Sequence, residues 1–118
     1  MTRGARDIAR ERERQMRREG WDARHDDEHQ QGELALAAAC YATGRPTKVR
    51  IEFVPPCSCR SVDECYHWTP VKRWRDAWPW DKKWDKREKH DRRRQLVIAG
   101  ALIAAEIDRL DRERRRAT

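Results

Sequence analysis

Large apolar side chains are scarce in this chain of 118 residues, which has one phenylalanine, two tyrosines, two methionines and 37% hydrophobic residues in all. A domain of this length holds a modest core at best, and so thin a supply excludes a thick globule. Long hydrophobic runs are missing too. The longest apolar stretch, residues 96–107, is interrupted by Gly100 and Glu106 and falls far short of a bilayer span, so a membrane is not an expected partner. The first twenty residues are charged and lack the apolar segment of a secretory signal. These absences place the chain in a cytoplasm. Its four cysteines then read as thiols or metal ligands rather than disulfides.

What the chain has in excess is charge: 42% of its residues are charged and the net charge is +7. So high a fraction points to long solvated helices. Basicity favours nucleic acid, phosphate-bearing ligands or acidic protein surfaces without choosing among them. Interspersed Glu and Asp argue against a broad positive stripe, and no recognised DNA-binding motif is visible. Residues 1–19 read as a charged helical arm, since Arg and Glu alternate from residue 5 onward at spacings that let opposite charges meet. Gly20 is a natural stop. Such a helix is either solvated or laid on a partner or a second subunit.

Residues 25–43 read as the central helix. Its head packs His25, Asp26, Asp27, Glu28 and His29 into five positions, and its tail is a run of small apolar residues from Leu34 to Ala42. Asp26 or Asp27 suits an N-cap, and acids in the first turn suit the helix dipole. Two histidines and three acids exceed what capping needs. The small-residue tail lets another helix come close, with Cys40 in that packed face and Gly44 and Pro46 ending it.

Residues 47–84 read as an irregular connection rich in Trp and Cys. Val49, Ile51 and Phe53 alternate with Lys48, Arg50 and Glu52, the pattern of one short strand that needs a hairpin partner, another chain, or none if merely extended. Cys57, Cys59, Cys65 and His67 have the residue types of a structural zinc site, though not a common finger spacing. A Cys57–Cys65 or Cys59–Cys65 disulfide is the competing reading. Residues 68–84 hold five of the six tryptophans, with Lys and Arg between them. These indoles either cover the small-residue helix faces or stack a planar ligand, and Pro79 makes residues 78–80 a rigid turn.

Residues 86–115 read as one long C-terminal helix. Leu96, Ala99, Ile103, Ile107 and Leu110 keep helical rhythm, widened by Ile98, Leu102 and Ala105. Gly100 is expected to let residues 34–42 approach closely. The fold expected is therefore all-α: antiparallel packed helices, an N-terminal helical arm and an irregular connection with room for a short β-hairpin. One copy can bury little, which favours a homo-oligomer.

Three blocks, EGWDARHDDEHQQGELALAAACYA, WPWDKKW and RRQLVIAGALIAAEIDRLDR, resemble in that order a family of small phage and prophage proteins. The resemblance covers roughly residues 19–42 and 78–111. It implies a viral or prophage origin, an infected or lysogenic bacterial host, and a helical fold. Where that family commonly places Lys-Pro after the tryptophans, this chain has Asp85-Lys86. Glu28, Glu33, Glu106 and Asp108 are also similar to the metal-holding acids of all-α nucleoside triphosphate pyrophosphatases, but without the paired spacing those enzymes use.

Three functions follow as expectations. The first is binding without turnover of a nucleotide-derived small molecule, in a phage context by sequestering a host defence signal. Trp21, Trp78 or Trp80 would stack a purine, Arg24, Lys82 and Lys83 would hold phosphate, and Asp26 and Asp27 would accept ribose hydroxyls. His25 and His29 would donate to the ligand, with Glu33 beside them. The second is a metal-dependent nucleotide hydrolase using His25, Asp26, Asp27 and His29 as ligands and Glu33 or Glu106 as base. The third is a binder of a host protein or nucleic acid through the Arg-rich ends.

Overall fold

The computed structural model describes residues 1–53 and 71–117, with the side chains of Phe53 and Val71 left aside. The Cys57, Cys59, Cys65 and His67 set, Trp68 and both disulfide alternatives lie outside the described residues. The described residues form four α-helices and one antiparallel pair of strands: α1 Arg3–Arg18, α2 Ala23–Asp27, α3 Glu33–Thr43, β1 Lys48–Phe53, β2 Val71–Asp76 and α4 Arg92–Ala117. It is mainly helical, as expected, with a small sheet added.

The core is the contact of α3 on α4. Leu34, Ala37, Ala38 and Tyr41 meet Ile98, Ala99, Leu102 and Ala105. Alanines facing alanines bring the two backbones close, and Trp21, Trp78 and Trp80 pack against the edge of this cluster. Gly44 lies against Gln95 near the start of α4, while Asp27 reaches Arg112 near its end, so α3 runs antiparallel to α4. Of the twelve buried apolar side chains among the described residues, six are alanine, and the core is as thin as composition requires.

The central helix expected over 25–43 is two helices. Asp22, not Asp26 or Asp27, caps α2 by accepting from the His25 amide at 3.0 Å. The chain then turns at Gly32, whose φ of 79° is open to glycine at little strain, and α3 starts behind it. The long C-terminal helix also begins later than expected. Arg87–Lys89 forms a separate 3-10 turn, and Asp91 accepts from the Arg94 amide at 2.8 Å where α4 begins.

The N-terminal segment is no free arm, nor does it need another chain to lie on. α1 packs on α4 through a polar face. Its inward residues include Ile8, Glu11, Arg12 and Gln15, a helical i, i+3, i+4, i+7 stripe of which only one member is apolar. Ile8 sits over Gly100, where an added Cβ would fall 2.7 Å from the Ile8 Cδ1. That glycine therefore serves α1 rather than α3. Glu11 takes Arg94 at 2.5 Å, and Asp7 takes Arg93 at 2.8 Å.

The strand expected near residue 48 finds its partner within the chain. β1 pairs antiparallel with β2 in the register Lys48↔Asp76, Arg50↔Trp74 and Glu52↔Lys72. Opposite charges thus face each other at two of those positions, the pairing that favours this register. Residues 71–76, expected to be irregular, are the correction here. The described side chains of β2 are all exposed, so they carry no inward pattern that would have marked a strand.

Candidate functional site

A cleft of about 980 Å³ opens where α1, α2, α3, the turn at residues 78–81 and α4 converge. One wall is a run of aromatic rings. Trp21 stacks on His25 with centroids 5.8 Å apart and planes 12° from parallel; His25 meets His29 edge-on at 4.9 Å. His29 lies 5.2 Å from Trp80, Trp80 5.5 Å from Trp78, and Trp78 6.0 Å from Tyr41. Spacing by four residues puts Trp21, His25 and His29 along one side of α2 and its flanks, and Pro79 sets the two neighbouring indoles at 88° to each other. Leu34, Ile98 and Leu102 supply the apolar floor.

Gln15 of α1 also lines this cleft and is 1% exposed. Neither its Oε1 nor its Nε2 has a hydrogen-bond partner, and the buried Nε1 of Trp80 has none either. These are three of the five orphaned buried side-chain atoms among the described residues. An unmet buried polar atom costs about 1–3 kcal/mol, and native proteins hold few of them. All three belong to side chains that line this one cleft.

Charge at the site is organised by Glu11. Its carboxylate is buried and accepts from the Arg14 Nε at 2.6 Å and the Arg94 Nη2 at 2.5 Å. Burial alone would raise its pKa, but the two guanidinium hydrogen bonds outweigh that and hold it below the ordinary 4.5. Arg14 also donates to Glu19 at 2.8 Å, so its donors are largely committed. Arg94 and Lys86 have more to offer an anion. Beyond the Glu11 cluster lies a second hollow of about 490 Å³, with Arg3, Arg10 and Arg93 on its walls.

The two histidines each lean on a carboxylate. His25 Nδ1 is 3.1 Å from Asp26, and His29 Nδ1 is 3.1 Å from Glu33. With Nδ1–H donating to the carboxylate, Nε2 remains as an acceptor in neutral imidazole, and as a donor once the ring is charged. Glu33 thus orients His29 and also accepts from the Gln31 amide at 2.6 Å.

Of the residues singled out in the sequence, the fold brings together Trp21, His25, His29, Trp78 and Trp80 at the cleft. Asp26 is instead buried under α1, accepting from Arg12 at 2.5 Å. Asp27 ties α2 to α4 through Arg112 at 2.9 Å and Arg116 at 2.7 Å, bonds that hold its carboxyl below its usual range. Neither acid lines the cleft. Arg24, Lys82 and Lys83 are exposed and lie outside it, with Lys83 5.2 Å from the Trp84 ring. Among the described residues no cluster of His, Cys, Asp or Glu is placed to hold a metal.

Sequence reasoning missed Gln15, Tyr41, Lys86, His90 and Arg94. One signal for Gln15 was available: it is the only uncharged polar side chain in α1, and it shares the helix face of Ile8 and Arg12. No helix among the described residues is long and apolar enough to cross a membrane. Compared with family models, with curated proteins and with solved structures, the chain matches none.

Proposed function

We propose that this protein binds, without turnover, a nucleotide-derived small molecule whose flat heteroaromatic ring enters the aromatic cleft. One observation carries the reading: the Gln15 carboxamide is buried in the cleft with both polar atoms unmet. A carboxamide presents a donor beside an acceptor, the complement of a nucleobase edge. The Trp80 N–H offers a further donor to a ring nitrogen or carbonyl. Indole and imidazole faces supply stacking worth about 1–3 kcal/mol per base. Arg94 and Lys86 stand where an anionic group could follow the ring, and the arginine-lined hollow beyond Glu11 continues that path.

The roles expected of Asp26 and Asp27 pass to other groups, because both acids are committed to arginines. The same commitment favours retention over the alternative, a metal-dependent hydrolase with His25, Asp26, Asp27 and His29 as ligands. Retention rather than chemistry fits a chain whose blocks resemble small phage proteins, and in an infected cell retention would withdraw a signalling nucleotide from host defence. The test is calorimetry and tryptophan fluorescence against a panel of linear and cyclic nucleotides and nucleosides, with product analysis alongside. Binding with quenched emission and unchanged ligand is expected. No heat and flat emission across the panel would overturn the reading, and steady conversion of one ligand would replace it with catalysis.

A further inference from the structure

Arg3, Asp7, Arg10 and Arg14 recur along α1 at steps of four, three and four residues. At 100° per residue they share a stripe about 60° wide, beside the inward face that Ile8 and Gln15 occupy. That stripe faces the start of α4, where Arg93 and Arg94 stand, and between them lies the hollow of about 490 Å³. Holding α1 to α4 needs no more cations than there are acids to meet them. Five guanidiniums and three carboxylates line this hollow. One of those carboxylates, Asp91, is spent on the Arg94 amide. Glu19 reaches Arg14 from outside, and positive charge still prevails.

The guanidiniums are held in place with donors to spare. Asp7 accepts from Arg93 at 2.8 Å, using Nη2 alone, and lies 4.0 Å from Arg10. Glu11 takes only Nη2 of Arg94. Arg3 has no ion pair among the described residues. Every cation of the hollow is arginine, whose planar fork meets two oxygens of a phosphate at once. Hollow and cleft also adjoin: Glu11, Arg14 and Arg94 belong to the walls of both. The Glu11 side chain is 1% exposed, whereas those of Arg14 and Arg94 are 37% and 36% exposed. A molecule crossing the junction therefore meets guanidinium rather than carboxylate.

We propose that this hollow is a polyphosphate subsite continuous with the aromatic cleft, so that the ligand is a nucleotide carrying an open chain of two or more phosphates. The inference rests on the cleft's receiving a nucleobase. Along α1, Arg10 lies about 8 Å and Arg3 about 18 Å from Gln15 at 1.5 Å per residue. The base meets Gln15, the first phosphate meets Arg94 at the junction, and later phosphates meet Arg93, Arg10 and Arg3. A cyclic monophosphate, folded back on its ribose, does not extend past the junction.

Calorimetry and tryptophan emission on the full-length protein test this. The probes are the four ribonucleosides, their 5′-mono-, di- and triphosphates and 3′,5′-cyclic monophosphates, and inorganic tripolyphosphate as a base-free control. For the preferred base, affinity should rise about 10-fold with each added phosphate, and the cyclic form should bind no better than the 5′-monophosphate. Tripolyphosphate should compete with the triphosphate. Arg93→Gln and Arg3→Gln should each weaken triphosphate binding about 10-fold and leave the nucleoside unaffected. Arg3→Gln breaks no ion pair, which separates lost charge from a loosened α1. Nucleoside and triphosphate binding alike, both quenching tryptophan, or triphosphate affinity indifferent to both variants would overturn the subsite and leave the cleft reading standing. Tripolyphosphate binding while no base-bearing probe alters emission would overturn the cleft reading, and the joint ligand with it.

Discussion

Arg12 of α1 donates through Nη2 to the Oδ2 of Asp26 at 2.5 Å, and both side chains are nearly closed to solvent at 9% and 1% exposure. The same guanidinium donates through Nη1 to the Trp21 carbonyl at 3.0 Å. One side chain thus fixes both the position of α2 and the peptide that carries the first ring of the aromatic wall. The site's geometry depends on this ion pair, although neither partner lines the cleft.

Removing one partner strands a buried charge, which costs about 3–5 kcal/mol. Arg12→Ala and Asp26→Ala should each lower the stability measured in urea by that amount. An apolar pair, Arg12→Met with Asp26→Leu, should recover much of it, because no charge is then left unpaired. If Asp26 were a ligand contact instead, Asp26→Ala would weaken binding and leave the urea midpoint in place.

Gln15 leads to the opposite expectation. Replacing its unmet carboxamide with Leu removes two buried polar atoms and keeps comparable volume. Gln15→Leu should therefore match or exceed the parent's stability, by up to about 2 kcal/mol. It should also weaken binding of the nucleobase ligand by roughly 10–100-fold, the value of one well-placed bidentate edge contact. Thermal melts and calorimetry on the same preparation would show stability and affinity moving apart. A residue with a purely structural role would move them together.

Much of the helical frame was legible because its signals are local. The α4 stripe, the small residues of α3 and the glycine stop at residue 44 each belong to one short window of sequence. Other features depended on partners far along the chain. Glu11, Arg12 and Gln15 look like any solvated stretch until Arg94 and Asp26 are placed against them. The acids of the HDDEH cluster were conspicuous for their density, yet that density serves two tasks: Asp26 and Asp27 anchor α2, while His25 and His29 face the cleft. Residue types alone do not separate those tasks, because α2 sets successive side chains about 100° apart around its axis and so sends neighbours to different surroundings. Strand β2 stayed hidden for a related reason: with its described side chains in solvent, periodicity had nothing to report.

Acid should loosen the packing of α1 on α4 and of the turn before α4. Glu11 and Asp85 are both held below their ordinary values of 4.5 and 3.8; burial opposes this, and hydrogen bonds from Arg14 and Arg94, or from Arg87, prevail. A depressed carboxylate stabilises the fold fully above its unfolded pKa, and the contribution is lost as pH falls toward the folded value. These groups therefore leave stability flat between pH 8 and about 5 and drive its decline below about 4.5. Urea midpoints across that range check the sign. Glu11→Gln should be less stable at neutral pH and show a shallower decline in acid.

Gly100 offers a test of the α1 contact in which the sign of the effect changes with its neighbour. Within a helix, Gly→Ala ordinarily stabilises by about 1 kcal/mol. Here the new methyl would lie 2.7 Å from the Ile8 Cδ1 and 2.9 Å from its Cγ1, so α1 must shift or Ile8 must leave its rotamer, at about 1–3 kcal/mol. Gly100→Ala should therefore be neutral to destabilising in the parent chain. In an Ile8→Ala background the obstacle is gone, and the same substitution should stabilise by about 0.5–1 kcal/mol. A double-mutant cycle reads the difference as a coupling energy between residues 92 positions apart in sequence. Zero coupling would mean that Ile8 does not rest on α4, and the polar face of α1 would then need another explanation.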